Sequence, residues 1–141
     1  MAEFIMKDLV EKEGLVGDFY IESAATSSEE VWRGVGNPVY PPAREELAKH
    51  GISCRGKRAR VLEREDYDKF DYIIGMESVN LRNMKRILGK DPEHKLSKMM
   101  SFTLEGGDID DPWYTGDFSG VYRQIHTGCL GLLAHIREEG I

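Results

Sequence analysis

The residues best placed to do chemistry in this chain are Asp108-Ile109-Asp110-Asp111-Pro112-Trp113-Tyr114. A run of acids stops at a proline and two large rings, on a loop bounded by Gly106-Gly107 and Gly116. Proline fixes the backbone on its own side and biases Asp111 toward an extended conformation. A carboxyl beside Trp113 and Tyr114 is partly shielded from water. That raises its pKa and suits it to give a proton to a flat, ring-bearing substrate. The same residues also compose an acidic solvent loop with a turn-forming proline, and spacing alone leaves both readings open.

A second spacing, Cys54 to Arg60, is formally Cys-x5-Arg. The intervening Arg55-Gly56-Lys57-Arg58-Ala59 has one glycine and bulky cations where backbone would have to close on an anion. Nothing after Arg60 caps a helix. The segment reads as a solvated basic connector with an incidental thiol. Gly34-Val35-Gly36-Asn37-Pro38 is a turn cluster, too short for a dinucleotide fingerprint. Trp32 beside it is a candidate for the rim of a substrate site. Cys129 falls on an apolar helical stripe and reads as a core thiol. His50, His94, His126 and His135 fall at no metal-ligand spacing, so neither a metal nor a cofactor is expected.

These residues need a scaffold, and the pattern supplies one. Ala2, Ile5, Met6, Leu9 and Val10 mark an amphipathic helix over residues 2–13, ending at Gly14. Residues 19–24 read as a short strand and residues 26–38 as a loop. Pro41-Pro42 opens a helix through Lys49 that Gly51 closes. Residues 69–76 form a nearly continuous apolar run suited to a buried parallel strand. Leu81, Met84, Ile87 and Leu88 mark a helix over residues 77–88, and residues 95–102 a weaker strand. Phe118, Val121, Tyr122, Ile125, Cys129, Leu132, Leu133 and Ile136 keep a 3.6-residue period through the last helix. The order αβαβαβα predicts an α/β fold, a three-layer arrangement with a parallel sheet flanked by helices. Sites in such sheets lie at the carboxyl ends of the strands. The first helix has no strand feeding it and opens without a capping residue.

A length of 141 residues fits a single domain, 1–141. A net charge of −6 argues against a general nucleic-acid binder. Glu3, Lys7, Asp8, Glu11, Lys12 and Glu13 exclude a signal-peptide pattern, and no 18-residue apolar run exists to span a membrane. Two cysteines fit a reducing cytoplasm better than a disulfide framework.

Taken in order, Met1-Ala2-Glu3, Ser23-Ala24-Ala25-Thr26, Gly36-Asn37-Pro38, His50-Gly51-Ile52, Ala59-Arg60, Phe70-Asp71-Tyr72-Ile73-Ile74, Met76, Asn80-Leu81-Arg82 and Asp111-Pro112-Trp113-Tyr114 cover essentially the whole chain. With them the chain resembles the low-molecular-weight protein tyrosine phosphatases. The resemblance implies phosphotyrosine monoester hydrolysis through a cysteinyl phosphate, with Asp111 protonating the leaving phenol. It implies an aromatic rim of Trp113 and Tyr114, with Trp32, and Ser23 as the serine bracing the phosphate loop. The partner implied is a phosphotyrosine protein or a small aryl phosphate. It also places a first strand and the loop Cys-x5-Arg-Ser/Thr-Pro ahead of Met1. The expectation is therefore a chain truncated at its N-terminus and inactive as written. The alternative is a non-catalytic binding or self-associating member. Arsenate reduction on the same fold would need further cysteines. Because the family's strand order is 2-1-3-4, the absent strand is central. Its neighbours would stand about 9–10 Å apart. Either residues 19–24 shift onto residues 70–76, or another segment fills the gap, preferably from a second copy in a homodimer.

Overall fold

The computed structural model describes residues 1–26, 31–32, 35–36, 39–54 and 56–140, with the backbone alone at residues 31, 32, 35, 36, 113 and 114. The chain is α/β. The first helix, α1 (Ala2–Lys12), buries Ile5, Met6, Leu9 and Val10 on one stripe, as the spacing predicts. Residues 19–24 carry no strand. Phe19 is extended (φ −129°, ψ 140°), but a strand needs a laddered neighbour. One isolated parallel bridge forms instead, Ala25 to Val61. The expected closure of residues 19–24 onto residues 70–76 is thus not seen among the described residues. The expected loop 26–38 holds a two-rung antiparallel hairpin, β1 (Val31–Trp32) with β2 (Val35–Gly36).

Helix α2 (Pro41–Lys49) has its predicted bounds, opened by proline and followed by Gly51 at φ +74°. A short α3 (Asp66–Lys69), which periodicity did not reveal, leads into β3 (Ile73–Gly75). Helix α4 (Ser78–Leu88) starts with a reciprocal cap: the Glu77 carboxylate accepts from the backbone of Asn80, and the Asn80 side chain accepts from the backbone of Glu77. The weak strand contracts to β4 (Leu96–Lys98), and a 3₁₀ turn, Met99–Phe102, follows it. β3 and β4 are parallel, pairing Ile73 with Leu96 and Gly75 with Lys98. Among the described residues β3 has a strand neighbour on one side only.

The pleat of β3 divides the core. Ile73 packs with Leu62, Tyr67, Met84 and Leu88 under α4. Tyr72, Ile74 and Met76 face the larger cluster, where α1 meets the last helix, α6 (Phe118–Glu138). Helices therefore cover both faces of the sheet. Cys129 and Leu47 are fully buried in the larger cluster, and Arg137 of α6 reaches Glu13 at 3.2 Å. Two glycines let α6 lie close on the 3₁₀ turn. A Cβ at Gly131 would stand 2.0 Å from the Phe102 carbonyl oxygen, and one at Gly128 would stand 2.4 Å from Met99 Cγ. Among the described residues no helix is long and apolar enough to cross a membrane.

Candidate active site

The acid-bearing loop lies at the carboxyl edge of the sheet, where open α/β sheets place their sites. Ile109 is 2% exposed, and its N–H donates to the Met76 carbonyl just beyond β3. Asp108 is tied across both strand ends. Its Oδ1 accepts from Ser78 N (3.1 Å), Ser78 Oγ (3.0 Å) and Lys98 Nζ (2.8 Å). The Lys98 ammonium and the Ser78 bonds hold the Asp108 carboxyl at about 2. Downstream, Pro112 opens a one-turn helix, α5 (Pro112–Thr115). Gly116 follows at φ +73°. Asp117 then caps α6 by accepting from Gly120 N at 2.9 Å.

Asp111 is exposed at the step between the buried Ile109 and α5. Burial, and behind it the negative charge of Asp111, Asp108 and Asp110, pushes the Glu77 carboxyl above its ordinary value. Three acids thus act on one neighbour, and Asp108 is paired with the Lys98 ammonium at 2.8 Å. Its low pKa makes it a poor proton donor at mildly acid pH. The side chains of Trp32, Trp113 and Tyr114, which the sequence reading makes an aromatic rim, lie outside the described residues.

Ser23 lies in the stretch before the Ala25 bridge and is tied to α1. Its backbone N–H and its Oγ both donate to Glu3 Oε1, each at 2.8 Å. Glu3 also receives Lys57 Nζ (2.8 Å) and Lys7 Nζ (2.7 Å). Burial pushes this carboxyl up, but Lys57, Lys7 and Ser23 together overcome it and hold it at about 2. The sign follows: a depressed folded pKa stabilises the fold above the ordinary value near 4.5, and that stability is lost as pH falls toward 2. Glu3→Gln is expected to remove about one proton from the acid-induced uptake on unfolding. Urea midpoints measured from neutral pH downward check this, and an unchanged pH slope would refute it.

The Cys54 segment is committed elsewhere. Cys54 is buried rather than solvated, because its side chain joins the larger core cluster. Arg60 is spent on Asp66, with Nη1 to Oδ2 at 3.0 Å and Nη2 to Oδ1 at 3.2 Å, and reaches Glu22 Oε2 at 3.4 Å. Such a fork does not encircle a phosphate. Burial pushes the Cys129 thiol up to about 12, as a core position requires.

Two contributions lay outside the sequence reading. The clamp that Ser78 and Lys98 place on Asp108 is one. The other is Glu46, a buried carboxylate in α2 that accepts from Ser119 Oγ at 2.6 Å and meets His50 Nε2 at 2.9 Å. This contact ties α2 to the first turn of α6. A cleft of about 230 Å³ opens beside it, lined in part by Glu46, Lys49, Asp117 and Ser119. The available signal was a lone acid on α2's buried stripe, between Ala43 and Leu47.

Comparison with known proteins bears on the whole arrangement. Residues 1–140 match the family of low molecular weight phosphotyrosine protein phosphatases. The chain is 36% identical over 141 residues to the low molecular weight protein-tyrosine-phosphatase YfkJ of Bacillus subtilis, covering 99% of this chain and 88% of that protein. It is 37% identical over 146 residues to the low molecular weight phosphotyrosine protein phosphatase 2 of Drosophila melanogaster, covering 100% and 86%. The crystal structure of YfkJ from Bacillus subtilis superposes with a TM-score of 0.92 at 34% identity, covering 99% of this chain and 87% of that one. A protein tyrosine phosphatase from Entamoeba histolytica shares the fold at a TM-score of 0.87 and 23% identity, over 99% of this chain and 89% of that one. With a parallel sheet between helices and an Asp-Pro loop at its carboxyl edge, the chain belongs to the low molecular weight phosphotyrosine protein phosphatase family.

Proposed function

We propose that the chain is the acid-bearing body of a phosphotyrosine monoester hydrolase, with Asp111 as its general acid. The Asp111-Pro112 loop, fixed at the sheet's carboxyl edge in a chain that matches the phosphatase family over residues 1–140, is the observation that supports this reading. In the reaction a cysteine thiolate attacks phosphorus. The sulfur–phosphorus bond forms as the aryl oxygen departs, and Asp111 passes its proton to that oxygen. Water then releases phosphate from the cysteine. Trp32, Trp113 and Tyr114 frame the phenyl ring, and Ser23 supports the phosphate loop from beside α1. The substrate is a phosphotyrosine protein or a small aryl phosphate. The protein acts as one cytoplasmic domain without cofactor, metal, nucleic acid or membrane.

Residues 1–141 do not supply the thiolate in its cradle. Cys54 and Cys129 are both buried, and no Cys-x5-Arg-Ser/Thr-Pro occurs among them. The 141-residue chain is therefore expected to show no turnover of p-nitrophenyl phosphate at about pH 5–6. Turnover is expected once a strand ending in Cys-x5-Arg-Ser-Pro is joined ahead of Met1. Activity of the unextended chain that survives Asp111→Ala and Cys54→Ser would reveal another site. Activity lost with Cys54→Ser alone would make Cys54 the nucleophile.

One observation favours a second reading. β3 has a single strand neighbour among the described residues, and residues 20 and 22–24 are exposed. On this reading the chain is a non-catalytic family member that self-associates, each copy lending the other a strand. Sedimentation of the same preparation decides between them. A concentration-dependent dimer supports self-association, and a monomer across the micromolar range removes it.

A further inference from the structure

We propose that Asp108 is the positioning residue of the acid loop, a carboxylate that does not react but sets where Asp111 stands. The proposal rests on the assignment of Asp111 as general acid. Its starting point is the weak hold on the loop just upstream. Gly106 and Gly107 both take positive φ, +63° and +85°, and neither would bring a Cβ within 4 Å of anything. The two glycines bring no side chains of their own to this turn, where Gly106 N donates to Thr103 Oγ1 at 3.2 Å. Downstream, Pro112 has no N–H to offer, and α5 lasts four residues.

Asp108 and Ile109 supply the grip between these two. One oxygen of Asp108 gathers three donors from two elements, the first residue of α4 and the last of β4. Lys98 Nζ closes the triangle by donating to Ser78 Oγ at 3.1 Å. Gly75 and Lys98 are register partners, so the triangle spans the ends of two adjacent parallel strands. Ile109 continues the hold through its bond to Met76 and its burial. Asp111 is two residues further on. A general acid works only within hydrogen-bond reach of the leaving oxygen, so a small shift of this anchor moves the proton out of range.

The test uses the 141-residue chain with Trp32→Phe, which leaves Trp113 as the single tryptophan. Asp108→Ala is expected to speed hydrogen exchange at the Ile109 amide by about tenfold or more, while β3 and α6 keep their protection. Trp113 anisotropy is expected to fall with it. Asp108→Asn, which keeps an oxygen for Ser78, is expected to recover most of both signals. Unchanged exchange and anisotropy in Asp108→Ala overturn the proposal. So does uniform loss of protection through β3 and α6, which would make Asp108 a general fold residue. In the chain joined to a nucleophile loop, Asp108→Ala is expected to lower kcat with KM unchanged. The loss is expected to be larger for phenyl phosphate than for p-nitrophenyl phosphate, because the poorer leaving group depends more on the acid. Equal losses would refute positioning. If Asp111→Asn itself shows no such preference, the acid assignment fails, and the exchange result still reports on the clamp alone.

Discussion

Asp111→Asn, made in the chain carrying a Cys-x5-Arg loop, is expected to lower turnover of aryl phosphates by about 10²–10⁴ and to change substrate binding little. The magnitude follows from the charge that a departing phenolate develops when nothing protonates it. The loss corresponds to roughly 2.7–5.4 kcal/mol of transition-state stabilisation. Neighbouring acids offer limited relief. Asp108 is held at about 2 by Lys98 and Ser78, so it carries almost no proton at the working pH. Asp110 is exposed and competes for the role, as does Glu77, whose carboxyl is pushed above its ordinary value. The measurement is kcat against pH for the parent, Asp111→Asn and Asp110→Asn. Loss of the alkaline limb in Asp111→Asn alone is the expected outcome. A parental rate for Asp111→Asn with a slow Asp110→Asn would transfer the role to Asp110.

Gly131→Ala is expected to destabilise the fold by about 3 kcal/mol, at the upper end of ordinary overpacking. The new methyl would stand 2.0 Å from the Phe102 carbonyl oxygen and 2.9 Å from its carbon. Both are backbone atoms and cannot rotate away. Alanine's better helix propensity returns up to about 1 kcal/mol, which the clash exceeds. Gly128→Ala meets the flexible Met99 side chain at 2.4 Å and is expected to cost less. Thermal melts should show a fall of roughly 10 °C for Gly131→Ala, given about 2–4 °C per kcal/mol in chains somewhat larger than this. A melt within a degree or two of the parent would show that α6 can lift from the 3₁₀ turn freely. Phe102 lies six residues before Asp108, so the same displacement should disturb the acid loop.

The helices were legible because a helix satisfies its own backbone, and its apolar period survives whatever surrounds it. Pro41 and Gly51 marked α2 to the residue, and the stripe from Val121 to Ile136 marked α6. Strands are different, because a strand exists only through its neighbour. Residues 19–24 have the composition of one but ladder with no strand among the described residues, and the first bridge comes at Ala25. The run 69–76 contains β3, but three of its residues ladder to β4. The Asp111-Pro112 loop was visible as chemistry joined to a turn signal. Its anchors were not, since Ser78 and Lys98 lie thirty and ten residues from Asp108 and meet it only through the sheet. Ser23 was visible, but its direct partner Glu3, twenty residues away, was not.

The contact between α1 and α6 sets a timetable for synthesis. The apolar stripe of α1 finds its cover in α6, made after roughly the hundred residues between Lys12 and Phe118. At about 5–20 residues per second, that stripe waits on the order of 5–20 s on the ribosome with Ile5, Met6, Leu9 and Val10 unburied. The nascent chain is then a natural client for holdase chaperones, and stalled ribosomes that carry it short of Phe118 should crosslink to them through α1. Release of α6 from the exit tunnel, rather than completion of the sheet, is the event that should end that association.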